Sequence, residues 1–275
     1  MHQDDWQAQI RQEVERILQA GGRVSLLARD LRGGVTLLAR EEGRRVVSAS
    51  TIKTVVMLAL LEQVRLGRLS LADSIPLKPE EILEDTKVFD RGVGQYALGE
   101  LMEWMIITSD NTASNALISL LGMDTVNRYA RETLGMEETE LQRKMLDWQA
   151  VQAGRNNYTS ARDMERAFGA LYRRSILTPE LCRLAMGVLF RQRWKTDAFR
   201  YVCGPVAAAH KTGSLDHLNH DTGILFFRHI DCFYGFFVTE IPNNDFGERA
   251  IGLLAKPLVE HCRGLQAPPE RRMDV

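Results

Sequence analysis

Ser50-Thr51-Ile52-Lys53-Thr54-Val55-Val56-Met57-Leu58-Ala59-Leu60 decides how the rest of the chain is read. From Val55 to Leu60 every residue is apolar, so a helix here has no polar face and belongs in the interior rather than on a surface. At its start, Ser50 and Lys53 stand three apart and share one face, where the Lys53 amine can reach the Ser50 hydroxyl. That pairs a nucleophile with its own base. Ser48 or Ser50 is available as the N-cap. The free amides and dipole of the helix N-terminus favour a developing anion in front of it. Alone, a Ser-x-x-Lys also reads as an ordinary solvated first turn; its neighbours give it weight.

Upstream, residues 5–19 read as a helix ended by Gly21-Gly22. Two β-rich runs, 23–30 and 35–40, are joined as a hairpin by Leu31-Arg32-Gly33-Gly34. Residues 44–48 lead into the central helix. Downstream to about Leu184 the pattern is almost wholly helical, with 100–107 and 111–121 interrupted by the turn chemistry of Ser109-Asp110-Asn111. Strands return at 207–214, 222–228 and 232–240, and 246–263 closes as an amphipathic helix. Residues 266–275 read as a frayed tail. Strands at both ends with helices between them imply an α+β fold of three layers, α-β-α. An antiparallel sheet domain (1–47 and 185–265) is flanked by helices and holds an all-α domain (48–184).

The 275 residues suffice for a large core. With 35 basic against 36 acidic residues, neither a nucleic-acid footprint nor a polybasic membrane patch is expected. The first residues are polar and run into the amphipathic spacing of Ile10, Val14, Ile17 and Leu18, unlike a secretion signal. No apolar run reaches the roughly eighteen residues of a spanning helix. Cys182, Cys203, Cys232 and Cys262 lack paired spacing and read as reduced thiols. The expectation is a cytoplasmic protein with a small-molecule substrate, no cofactor and no metal; oligomeric state leaves no signature.

Ser50-x-x-Lys53, Ser109-Asp110-Asn111 and Lys211-Thr212-Gly213 stand in fixed order, on a helix start, an interhelical turn and a strand. Taken singly the second reads as a helix cap and the third as a strand end. Together they resemble the signature of class A β-lactamases and related penicillin-recognising serine hydrolases. The resemblance runs from about Arg23 to Arg263, and residues 106–115 and 209–214 extend it. It implies acylation of Ser50 with Lys53 as base, provided that burial and the cation of Lys211 lower the Lys53 pKa. By the same resemblance the amides of Ser50 and Ser214 form the oxyanion hole, each such donor typically worth about 3 kcal/mol of barrier. Ser109 relays a proton to the leaving nitrogen. Asn111 binds the substrate's amide side chain, and Lys211, Thr212 and Ser214 hold its carboxylate.

The pattern breaks where class A enzymes carry Arg-x-Glu-x-x-Leu-Asn, whose glutamate activates the deacylating water. Here the stretch is Arg143-Lys144-Met145-Leu146-Asp147-Trp148-Gln149. A thioether cannot take a proton, and Asp147 would substitute only if the loop shifts. Class A-like penicillin-binding proteins also lack this glutamate. The expected activity is therefore slow hydrolysis of β-lactams or related amides and esters. A D-alanyl-D-alanine carboxypeptidase, an esterase and a penicillin-binding protein without turnover remain as alternatives. His217 and His220 with flanking carboxylates have metal-ligand chemistry, but 216–221 reads as a polar turn. Cys203 near His210 reads as a structural thiol.

Overall fold

In the computed structural model, which describes residues 6–86, 89, 92–194 and 197–265, every side chain from Lys53 to Leu61 is buried. Burying one large aliphatic side chain is worth about 1.5–3 kcal/mol. Seven consecutive apolar residues therefore make this helix an axis of the fold. The expected tail, 266–275, and the first residue of the expected N-terminal helix lie outside the described residues.

In chain order the elements are α1 (Trp6–Gln19), β1 (Arg23–Asp30), β2 (Thr36–Arg40), β3 (Val46–Val47) and, after a 3-10 turn at Ala49–Ile52, α2 (Lys53–Arg65). Next come β4 (Ser74–Leu77), β5 (Gly94–Ala97), α3 (Leu98–Ile107), α4 (Asn111–Leu121), α5 (Met123–Arg128) and α6 (Trp148–Gln152). The chain ends with β6 (Tyr158–Thr159), α7 (Ala161–Tyr172), α8 (Pro179–Phe190), β7 (Ala207–Leu215), β8 (Leu218–Phe226), β9 (Asp231–Thr239) and α9 (Asn244–Gly264). Five strands form an antiparallel sheet in the order β2-β1-β9-β8-β7. Its two faces alternate along β9: Tyr234, Phe236 and Val238 pack with α1 and α9, while Phe233 and Phe237 pack with the cluster around α2. The three-layer α+β expectation is met.

Three local expectations are corrected. The stretch 48–184 is not all helix, since β4 pairs with β5 and β3 with β6. The boundary at 184/185 falls inside α8, whose Cys182, Ala185, Val188 and Leu189 share one apolar cluster with α2. Finally, 216–221 is not a turn throughout: β8 begins at Leu218, so Asn219, His220 and Asp221 are strand residues, all buried.

Among the described residues no helix is long and apolar enough to cross a membrane.

Candidate active site

Ser50 does not sit in a capped first turn. Neither Ser48 nor Ile52 makes a side-chain cap bond, and Ala49 takes a positive φ of 45° to swing the chain into the 3-10 turn that carries Ser50. A non-glycine residue there is strained and marks a position held by its surroundings. One restraint is Gly213 on β7, the edge strand of the sheet. A Cβ on Gly213 would lie 3.1 Å from Ser48 O, Ser50 N and Ala49 Cβ alike. Gly213→Ala should therefore push β7 off the turn, costing about 1–3 kcal/mol and lowering the rate of covalent labelling; an unchanged denaturation midpoint would refute this close approach.

The second motif is built by the α3–α4 turn. Ser109 has φ 59°, and Asp110 caps α4 by accepting from Ala113 N at 2.8 Å. The Asp110 carboxylate also accepts from Thr86 Oγ1. These restraints aim the Ser109 carbonyl and hydroxyl and the Asn111 amide at Lys53. Lys53 Nζ lies 2.6 Å from Ser109 O, 2.7 Å from Asn111 Oδ1 and 3.2 Å from Ser109 Oγ. Ser50 Oγ takes part in no hydrogen bond among the described residues. The expected Lys53–Ser50 bond is thus absent in this state, and Lys53 instead rests on the second motif.

Burial, and then the nearby Lys211 cation, hold the Lys53 amine well below the ordinary lysine range against the opposing pull of Asp110 and Asp85. The Lys53 amine donates to Ser109 O, to Asn111 Oδ1 and, at the longer distance, to Ser109 Oγ. That hydroxyl oxygen in turn accepts from Lys211 Nζ at 3.0 Å. Lys211 also donates to Thr212 O, and burial draws its pKa down to about 7 despite Asp221 and Asp197. Ser109 is therefore a hydroxyl strung between two buried amines.

In front of these groups lies a cleft of about 710 Å³, lined by Ser50, Ser109, Asn111, Thr212 and Ser214 among others. The structure thus brings together all seven side chains anticipated from sequence, with Lys53 and Lys211 buried beneath the floor. It adds three residues. Asp85 accepts from Asn111 Nδ2 at 2.6 Å, which fixes the orientation of that amide. Asn244 donates to Ser214 Oγ at 2.8 Å. Asn115 clamps the backbone of Met145, accepting from its N–H at 2.7 Å and donating to its carbonyl at 3.1 Å. Each contact joins segments far apart in sequence, and only Asn115, inside an extended motif, carried any local signal.

A second chamber of about 80 Å³ is also lined by Ser50, with Asn111, Arg143, Met145, Asn157 and Ser214 among others. Met145 is buried and lines the same chamber as Ser50. Among the described residues no carboxylate lines the chamber. Asp147 is turned to α6, accepting from Ala150 N at 2.9 Å as its N-cap.

The remaining sequence candidates serve structure. His217 Nδ1 bonds to Ile241 O, and both nitrogens of His220 face carbonyl oxygens, of Asn219 and Val47. Burial pushes the His220 pKa down to about 4, against the opposing pull of the Val47 and Asn219 carbonyls. His210 is committed to Asp221 at 2.9 Å, and Asp221 also accepts from Tyr234 OH and Ala198 N. Cys203 is exposed and makes no bond to His210.

An antiparallel sheet backed by helices, with a serine at the head of a buried helix facing an interhelical turn and an edge strand, defines the β-lactamase/transpeptidase-like fold. The chain belongs to the beta-lactamase enzyme family, whose model matches residues 8–262. A β-lactamase of Rhodobacter capsulatus is 31% identical over 167 residues, 59% of this chain and 56% of that protein, so the match spans little more than half of that relative's length. The crystal structure of a β-lactamase from Sphaerobacter thermophilus aligns with TM-score 0.85 at 28% identity, covering 96% of this chain and all of that one. PBP-A, in a mutant form captured as an acyl-enzyme with penicillin G, aligns with TM-score 0.83 at 25% identity over 94% of this chain and 96% of that one.

Proposed function

We propose that this family member is a serine hydrolase, acylated at Ser50 by β-lactams or related amides and esters, with slow release of the acyl group. The observation that carries the reading is the buried Lys53 amine, held well below its ordinary pKa one helical turn from an unbonded serine hydroxyl. A neutral amine takes the Ser50 proton as Oγ attacks the carbonyl. The amides of Ser50 and Ser214 face the oxyanion, Ser109 passes a proton to the leaving nitrogen, and Lys211, Thr212 and Ser214 hold the substrate carboxylate. Asn111 takes the acyl amide once its bond to Asp85 gives way. The acyl-enzyme of PBP-A with penicillin G supports a β-lactam as a substrate.

The pH dependence of acylation tests this division of labour. The second-order rate constant reports ionisations of the free enzyme. It should fall at acid pH, where Lys53 is protonated. It should fall again as pH rises through about 7, where Lys211 loses the charge that attracts the carboxylate. Lys211→Arg, whose guanidinium stays charged, should remove the alkaline limb; a profile unchanged by the substitution would take Lys211 out of substrate binding.

A second reading, a D-alanyl-D-alanine carboxypeptidase, an esterase or a penicillin-binding protein without turnover, is favoured by Met145 and the absence of a carboxylate from the chamber beside Ser50. Turnover of D-alanyl peptides or simple esters alongside a persistent β-lactam adduct would select it.

A further inference from the structure

Arg143 is buried to 4% exposure, yet no carboxylate lies within ion-pair distance of it among the described residues. Its Nε donates to Asn156 Oδ1 at 2.9 Å and its Nη1 to Lys144 O at 3.0 Å, which fixes the plane of the guanidinium. Its backbone is pinned as well, with N–H donating to Asn157 Oδ1 and O accepting from Asn157 Nδ2. Nη2 has no acceptor among the described residues. Arg143 is among the residues that line the chamber, together with Ser50 and Met145. Asp147, the acid whose field it feels, is engaged at the α6 N-terminus. A buried cation without a counter-charge is costly, and burial accordingly lowers the Arg143 pKa. A rigid guanidinium with a free edge matches a carboxylate. The volume, about 80 Å³, has room for a few waters or one small anion.

We infer that the chamber between Arg143, Met145 and Ser50 is a carboxylate subsite, and that its occupant supplies the base which Met145 cannot. This rests on the reading that Ser50 carries an acyl group. One carboxylate oxygen pairs with Arg143 and the other faces the water beside the ester. The water oxygen bonds to the acyl carbon while its proton passes to the carboxylate. The tetrahedral intermediate then collapses, the bond to Ser50 Oγ breaks, and the carboxylic acid returns its proton to that oxygen. The carboxylate is regenerated. Its source is either a free anion such as formate or the acyl group of the substrate itself.

Two measurements separate this inference from the reading beneath it. In the resting protein, where no acylation is involved, formate should raise the melting temperature saturably. The effect should be lost in Arg143→Gln and in Met145→Glu, where a tethered carboxylate fills the site. In the benzylpenicillin adduct, formate should accelerate deacylation by roughly tenfold to hundredfold, part of the 10²–10⁴ that a positioned base supplies; chloride at equal ionic strength should not. Carbenicillin, which carries a carboxylate on its acyl group, should deacylate faster than benzylpenicillin without formate if the substrate is the source. If only formate accelerates release, the source is the free anion. Formate that neither stabilises the wild type nor speeds deacylation, or does so equally in both variants, overturns the subsite even where the adduct forms normally. Should Arg143→Gln fail to fold, Met145→Glu decides alone. A protein that binds formate through Arg143 but forms no adduct keeps the subsite and refutes its role in deacylation, together with the acyl-enzyme reading.

Discussion

Ser50→Ala is expected to abolish covalent labelling by a fluorescent penicillin, with no detectable adduct under conditions that label the wild type completely. Ser50 Oγ makes no hydrogen bond among the described residues, and the strained φ that shapes the turn belongs to Ala49. Removing the hydroxyl leaves Lys53 on Ser109 and Asn111 and Gly213 against the turn. Stability should stay within about 0.5 kcal/mol of wild type. Lost labelling with an unchanged melting temperature would therefore report chemistry alone. Labelling retained at the wild-type rate would remove Ser50 as the nucleophile.

Met145→Glu should shorten the lifetime of the benzylpenicillin acyl-enzyme by about 10²–10⁴-fold, the range a positioned general base provides. The Asn115 clamp on the Met145 backbone holds the new side chain in the chamber with Ser50. The unpaired Arg143 guanidinium in that chamber would keep the new carboxylate ionised and offset the cost of burying it. Acylation should change little, because Lys53 is held by Ser109 and Asn111 and makes no hydrogen bond to Met145 among the described residues. The decay of the adduct after excess penicillin is removed measures this directly, and an unaltered lifetime would mean that position 145 does not face the ester.

The chemistry was legible where it is local. The spacing of Ser50 and Lys53, the turn at Ser109-Asp110-Asn111 and the Lys211 strand could be read because each motif is carried by consecutive residues, and the apolar run after Lys53 announced a buried helix. Misreadings arose where a partner lies far off in sequence. Asn219, His220 and Asp221 carry turn chemistry by composition, yet they form the start of β8 because Asn244 bonds Asn219, the Val47 carbonyl faces His220, and His210 and Tyr234 bond Asp221 inside the fold. The same holds for Asp85 on Asn111 and Asn115 on Met145, contacts that span 26 and 30 residues. The expected bond from Lys53 to Ser50 failed for another reason. Spacing shows which groups share a face, but not which of two hydroxyls an amine prefers, and three acceptors on the Ser109 turn outbid one on Ser50.

Intact-protein mass spectrometry over time after mixing with benzylpenicillin, followed by peptide mapping, tests the central claim most directly. The expected result is a single adduct of one ring-opened penicillin, located on Ser50, that forms rapidly and decays slowly. No adduct at any time, or an adduct mapped to another residue, would contradict it.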